Sequence, residues 1–186
     1  MIKLLIALVP IAPLLAALIG AIGYQWLGRK LGPYIAIAGV SVSALAAVYL
    51  LFAVIGSGSS ARVELFTWAS IGSLDISIAL VLDTLSAIMI TVVSVISLVV
   101  HVYSLGYMRD DPGKARFFAT IAFFTFAMLM LVMADNFLQL FFGWEAVGLA
   151  SYLLIGFWYT KPTATAANIK AFLVNRIGDF GFLLGI

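Results

Sequence analysis

An all-α membrane protein of about six transmembrane helices, with a short outer-face hairpin or loop at residues 56–83, is the fold class this sequence predicts. Three observations carry it. The chain is 65% hydrophobic and only 10% charged, with a mean hydropathy of +1.20; soluble domains run near half apolar and about a quarter charged. The apolar residues gather into runs of roughly 17–25, each long enough to cross ~30 Å of hydrocarbon at ~1.5 Å per residue. Between the second and third runs the pattern changes to an alternation of period two. Inside a bilayer each run must satisfy its own backbone N–H and C=O groups, so the runs are read as helices.

The first run extends from about Leu4 to Leu27. Pro10 and Pro13 interrupt it, it is too long for a signal peptide, and a second span follows directly, so a retained anchor is expected. The second run, Tyr34 to Ile55, completes a first division of the chain, residues 1–55. Residues 56–83 open with GSGSS, a flexible turn composition. Val63, Leu65, Leu74, Ile76, Ile78, Leu80 and Leu82 then alternate with smaller or more polar residues, and Gly72-Ser73 reads as the turn of a hairpin. The alternative is an interfacial loop with Trp68 dipped into the headgroups. Residues 84–186 hold the remaining runs: Thr84–Met108, Phe117–Ala134, Phe137–Tyr159, and about Lys170 to the last residue. Thr160, Pro162 and Thr163 read as a start signal for the sixth helix, with proline in its first turn. Asp135 reads as a solvated cap for the helix beginning at Phe137.

The linkers predict an orientation. Arg29, Lys30, Arg109, Lys114, Arg116, Lys161 and Lys170 fall on one side, against Arg62 and Lys3 on the other. Basic loops stay on the cytoplasmic side, which puts the N-terminus outside and the RDDPGKAR turn (109–116) inside. A net charge of +2 with no basic cluster argues for the lipid bilayer and against nucleic acid as a partner. The chain has no cysteine, so it offers no disulfide framework, thiolate metal site or iron–sulfur ligation. The single histidine, His101, cannot build a haem or zinc site alone, and no dinucleotide or phosphate-loop motif occurs. Cofactors for any redox chemistry lie on other chains.

Charges inside the apolar runs then stand out. A charged group at mid-bilayer costs ~2.5–3.5 kcal/mol on insertion scales, and needs a partner or a watery cavity. Glu145 lies in the middle of the fifth run, in LFFGWEAVGLASY, and Asp179 in the sixth. Leu138, Phe141, Glu145, Gly148 and Tyr152 share one helical stripe, and Gly148 lets another helix approach beside the carboxylate. No base lies within about a turn of Glu145 on its own helix, so a group on another helix must answer it. Arg176 and Asp179 stand three apart and can pair on one helix, with Gly178, Gly181 and Gly185 as an adjacent packing face. The bland readings are a neutral Glu145 bonded to a carbonyl or to Tyr152, and an Arg176–Asp179 pair that only orients its helix.

Ser94, Ser97, His101 and Ser104 share a face of the third helix. Hydroxyls and an imidazole can carry a hydrogen-bonded water chain; equally, they can bond across helices or back to their own carbonyls. Burial favours the neutral form of an acid and a neighbouring cation the ionised form, so a group balanced between the two loads and releases a proton when the cation moves. That is the minimum apparatus for ion translocation, and it does not select the ion.

The run ADNFLQLFFGWEAVGLASYLLIGFWYT (134–160), followed by KAFLVNRIGDFGF (170–182), resembles the large antiporter-like subunit of proton-pumping NADH–quinone oxidoreductase, complex I: chain L in bacteria, chain 5 in mitochondria. VLDTLSAIM (81–89) and YSLGYMRDD (103–111) fit the same family, and the likeness covers nearly the whole chain. The resemblance implies a membrane subunit taking part in proton translocation, coupled to electron transfer on other subunits that carry NADH, flavin, iron–sulfur clusters and quinone. It implies a bacterial inner (plasma) membrane or a mitochondrial inner membrane, and other membrane and peripheral subunits as partners. It matches Glu145 and Asp179 to the family's translocating acids and Arg176 to its arginine; His101, Ser97 and Lys170 are read beside them from the residues themselves as supporting polar and charged groups.

The chain departs from the family in extent. Family members run to several hundred residues, and their glutamate pairs with a lysine on the next helix; this sequence lacks that lysine, as it lacks the broken helix and the long lateral helix. A fragment that does not pump alone is therefore expected. Lys170, at the inner boundary, snorkels outward and does not replace that lysine. The rival functions are the large subunit of a multi-subunit sodium/proton antiporter, and a scaffold whose buried charges only fix helix register.

Overall fold

The computed structural model describes residues 2–58, 60–71 and 74–186. Six helices and one hairpin follow in order: α1 (Ile2–Ile22), α2 (Tyr24–Ser57), β1 (Ala61–Ile71), β2 (Leu74–Leu82), α3 (Thr84–Tyr107), α4 (Lys114–Val132), α5 (Phe137–Ile155) and α6 (Pro162–Gly185). Five of the helices, α1 to α5, are long and apolar enough to cross a membrane. α6 has the length but carries too many polar residues for the same reading by composition alone.

Proline shapes the α1–α2 contact. Pro13 has no N–H, so the carbonyl of Val9, four residues back, loses its partner within the helix. The Ser43 hydroxyl of α2 donates to that carbonyl at 2.7 Å, in a fully buried position. The two backbones approach closely at the same crossing: a Cβ on Gly39 would lie 2.8 Å from the Ala12 carbonyl oxygen and 2.5 Å from the Ala16 Cβ. Small residues at such crossings are how apolar helices gain dispersion contacts where hydrophobic exclusion is absent.

The break between the first two helices falls at Gly23, not at the Arg29–Lys30 linker the charge pattern suggested. α2 runs on for 34 residues, with Pro33 inside and its apolar span at Leu31–Gly56. The basic pair lies within helical backbone, because cations are as compatible with a helix as with a loop. At the other end Gly58 takes φ +62°, and its N–H bonds the Val54 carbonyl at 2.8 Å. That left-handed cap suits glycine and closes the helix.

Residues 61–71 and 74–82 pair as an antiparallel hairpin rather than an interfacial loop, from Ala61↔Leu82 to Ile71↔Leu74. The expected turn at Gly72-Ser73 lies outside the described residues. Register irregularities between Glu64 and Phe66 and between Thr67 and Ala69 shift the faces of β1, so Leu65 is exposed although it fits the alternation. β2 keeps the clean pattern: Leu80 and Leu82 are buried against Ile6, Val9, Ile90 and Leu129.

The free edge of β2 docks on the α4–α5 turn. The Val81 N–H bonds the Met133 carbonyl at 2.9 Å and the Ala79 N–H bonds Gln139 Oε1 at 3.0 Å. Asn136 Nδ2 donates to the Ser77 carbonyl at 2.9 Å. Arg62 of β1 grips Asp135 through Nε at 3.0 Å and a terminal nitrogen at 2.8 Å. Asp135 is thus an anchor for the hairpin, and the cap of α5 is its neighbour Asn136, whose side chain accepts from the Gln139 N–H.

Asp83 joins the hairpin to α3 as a capping box with Ser86: the carboxylate accepts the Ser86 N–H at 2.7 Å, and the Ser86 hydroxyl accepts the Asp83 N–H at 2.8 Å. These bonds to Ser86 hold the carboxyl below its ordinary value of 3.8. A depressed folded-state value stabilises above the unfolded value, and that contribution is lost as pH falls below it. Asp83→Ala is expected to cost about 1 kcal/mol and Asp83→Asn much less. Thermal unfolding of the full-length protein carrying each variant checks this; equal loss from both overturns the cap assignment.

Candidate functional site

Glu145 sits near the middle of α5, and the helix stripe that carries it faces α6. Phe141 meets Phe182 with ring centroids 5.7 Å apart, and Tyr152 meets Phe172 at 5.4 Å. Between these aromatic contacts, Gly148 brings the helices close: a Cβ there would lie 3.3 Å from Asn175 Nδ2. In the gap so formed, an Arg176 terminal nitrogen reaches Glu145 Oε2 at 2.5 Å. Arg176 Nε lies 3.3 Å from Asp179 Oδ2, an ion pair whose angle does not make a hydrogen bond. Trp144 Nε1 donates to the other Asp179 oxygen at 2.9 Å.

One guanidinium therefore serves two carboxylates on two helices. Asp179 is the one buried residue of α6, its side chain 7% exposed, against 23% for Glu145 and 40% for Arg176. α6 begins at Pro162, eight residues before the apolar run counted from Lys170. Arg176 is thus about 21 Å along the helix, level with Glu145, and Asp179 stands most of a turn beyond it. The glycines at 178, 181 and 185 meet no atom within 4 Å of their Cβ positions, so that face of α6 packs against nothing among the described residues.

Lys170 is exposed and lies on a cleft of about 490 Å³ between α5 and α6, with Ser151, Tyr152 and Asn175. The cleft opens about one turn beyond Glu145 toward the C-terminal end of α5. Lys170 takes part in no ion pair among the described residues.

The second polar group is on α3. Ser94, His101 and Ser104 are buried and Ser97 half-buried, all on the inward face. His101 Nδ1 is 2.8 Å from the Ser97 carbonyl. A carbonyl only accepts, so Nδ1 carries the proton and Nε2 is the free lone pair. Nε2 is buried without a partner, beside the edge-on ring of Phe118 at 5.9 Å. Ser97 Oγ reaches across to Thr125 Oγ1 of α4 at 2.5 Å. Thr125 escaped the sequence reading because a lone threonine in an apolar run carries no period. α4 packs between α3 and α5, and no hydrogen bond or ion pair among the described residues links His101 to Glu145. Ser94 bonds its own Ile90 carbonyl at 2.7 Å and adds no link.

On the opposite side from the hairpin, two turns are clamped together. Trp158 Nε1 donates to Asp111 at 3.0 Å, and Arg116 donates to the Phe157 carbonyl at 2.8 Å while lying over the Phe157 ring at 4.7 Å. This clamp fixes where the chain enters α6. No group of three or more His, Asp or Glu residues stands close enough to hold a metal among the described residues.

Known proteins resemble this chain closely. Residues 68–118 match the family described as NADH-ubiquinone oxidoreductase (complex I), chain 5 N-terminus. Residues 134–186 match the family described as NADH:quinone oxidoreductase/Mrp antiporter, transmembrane region. NADH-quinone oxidoreductase subunit L of Neisseria meningitidis serogroup B is 53% identical over 186 residues, covering 98% of this chain and 27% of that one. Subunit L of Rhodobacter capsulatus is 50% identical over 183 residues, covering 95% and 25%. NADH-ubiquinone oxidoreductase chain 5 of Dictyostelium citrinum is 46% identical over 176 residues, covering 95% and 26%. The chain thus spans about a quarter of the length of the curated relatives it matches. In fold it is similar to a chain of the membrane-bound sulfane sulfur reductase, an archaeal respiratory membrane complex, with a TM-score of 0.82 at 18% identity, covering 97% of this chain and 36% of that one. The two family matches span more than half the chain, and with relatives at this identity they show that it belongs to the family of NADH-quinone oxidoreductase subunit L and chain 5, the antiporter-like membrane subunits of complex I.

Proposed function

We propose that this chain is part of a membrane subunit that takes part in proton translocation by a respiratory NADH:quinone oxidoreductase. Electron transfer belongs to partner subunits holding NADH, flavin, iron–sulfur clusters and quinone, and this chain carries no redox centre. Glu145 and Asp179 carry the moving proton, and Arg176 is the cation placed between them. Lys170 and the Ser97–His101 pair support the same task from the cleft and from α3. The N-terminus and the hairpin face the outside and the basic turn at 109–116 the inside, in a bacterial plasma membrane or a mitochondrial inner membrane.

The observation that carries this reading is the single cation shared by two acids, at 2.5 Å and 3.3 Å. A guanidinium carries one positive charge, so it cannot balance both carboxylates at once. Moving Arg176 toward either acid exchanges their roles. The test is Glu145→Gln in the full-length protein within its assembly, with proton uptake per NADH oxidised measured beside the assembly level. The expected result is a normal amount of complex with a lower ratio of protons to NADH. An unchanged ratio at unchanged assembly removes Glu145 from the path, and loss of assembly alone supports the scaffold reading.

A further inference from the structure

We propose that the cavity between α1, α4 and the end of α5 binds one acyl chain of an anionic phospholipid, with the headgroup phosphate against Arg116. The cavity holds about 620 Å³ and is lined by Leu14, Leu18 and Ala21 of α1, Ala119 and Phe123 of α4, and Leu153 of α5. It exists because small residues face each other there: a Cβ on Gly20 would only just touch Ala119, at 3.5 Å. Its walls come from helices long and apolar enough to cross a membrane, so its lining suits a lipid tail.

Its mouth is cationic. Gly113, Arg116 and Tyr159 line the end of the cavity where α4 begins, at the level of the charged 109–116 turn. From Arg116 to Phe123 the lined face of α4 runs about 10 Å from the boundary into the hydrocarbon, the direction an acyl chain takes below its headgroup.

Arg116 is presented for this contact. One terminal nitrogen donates to the Phe157 carbonyl at 2.8 Å, and the guanidinium carbon lies over the Phe157 and Tyr159 rings at 4.7 Å and 5.4 Å. These neighbours fix the fork without neutralising it. No carboxylate pairs with Arg116, Lys114 or Lys161 among the described residues. A rigid, unneutralised guanidinium above an apolar slot matches an anionic headgroup above its tail. A wholly apolar helix from another chain would fill the slot but leave that charge unanswered.

The test uses the full-length protein in its native assembly, reconstituted into liposomes. Two probes carry a diazirine at the end of one acyl chain: phosphatidylglycerol and phosphatidylcholine. Label is expected on residues 14–21 and 119–123, with phosphatidylglycerol favoured by about five-fold, the effect of one basic side chain near an anionic surface. Arg116→Gln is expected to bring the two probes to parity, and Ala21→Phe to reduce labelling by both. Absence of label from these segments means that protein fills the cavity, and overturns the proposal. Equal labelling of the unsubstituted protein by both probes overturns the anionic preference. If Ala21→Phe fails to assemble, the two-probe comparison on the unsubstituted protein decides by itself.

Discussion

Arg176→Gln in the full-length protein is expected to reduce the assembled complex sharply and to abolish proton movement through this subunit. The substitution leaves two acids, on α5 and α6, facing each other without the cation that joins them at 2.5 Å and 3.3 Å. A charge left unpaired at mid-bilayer costs about 2.5–3.5 kcal/mol on insertion scales, and here it is the carboxylates that are left behind. The two effects separate in a triple variant, Glu145→Gln with Arg176→Gln and Asp179→Asn, where no charge is left unpaired. Assembly is expected to recover in the triple variant while translocation stays lost. Recovery of both would mean that the three charges only set helix register. Normal assembly and normal proton uptake in Arg176→Gln alone would remove the arginine from both roles. Native gel electrophoresis and proton uptake per NADH give the two readouts.

The double-mutant comparison of Glu145→Gln and Arg176→Gln adds a quantitative check. Residues in direct contact within a charge network typically show coupling of about 0.5–3 kcal/mol. Trp144 makes the network directional, since its indole N–H donates at 2.9 Å to the Asp179 oxygen that does not face Arg176. Asp179 therefore has a second donor and Glu145 has no hydrogen bond of that kind among the described residues. Loss of the arginine falls harder on Glu145.

Much of the architecture was legible because its signals are local. Length and apolarity fix the spans, period two fixes the strands around Leu80 and Leu82, and spacing by three and four gives the face of α5 that meets α6. The Thr160–Pro162–Thr163 signal places the start of α6 ahead of the apolar run from Lys170, and the helix begins at Pro162. What escaped depends on partners far away in sequence. Asp135 looks like a cap until Arg62, 73 residues earlier, is seen to hold it. Ser43 looks like an ordinary polar residue in a span until the proline-exposed carbonyl of Val9 is found beneath it. Thr125 joins Ser97 only once α3 and α4 are packed. The stripe of α5 told that Glu145 needs a partner elsewhere, but the identity of that partner as Arg176 required the relative level of two helices. A charged pair such as Arg29–Lys30 marks a membrane boundary, and it does not mark the end of a helix.

Gly143→Ala is the smallest substitution expected to have a large effect. At the α4–α5 crossing, a Cβ on Gly143 would lie 2.8 Å from the Leu131 Cα and 2.9 Å from its N and Cβ. Two of these three atoms are backbone, so no rotamer change relieves the contact; the helices must separate. Overpacking of this kind costs about 1–3 kcal/mol where side chains alone must adjust, and the upper end applies where the backbone must move. The separation also acts on the site, because Glu145 follows Gly143 by two residues and is positioned against Arg176 by the same rigid helix. Lower thermal stability and impaired proton uptake are therefore expected together. Gly148→Ala, which meets only the flexible amide of Asn175 at 3.3 Å, is expected to be mild by comparison. Leu131→Ala should not rescue Gly143→Ala, since the obstructing Cα and N remain. Rescue by that second substitution, or equal stability of the two glycine variants in thermal unfolding, would show that the helices at this crossing are held apart by side chains and not in backbone contact.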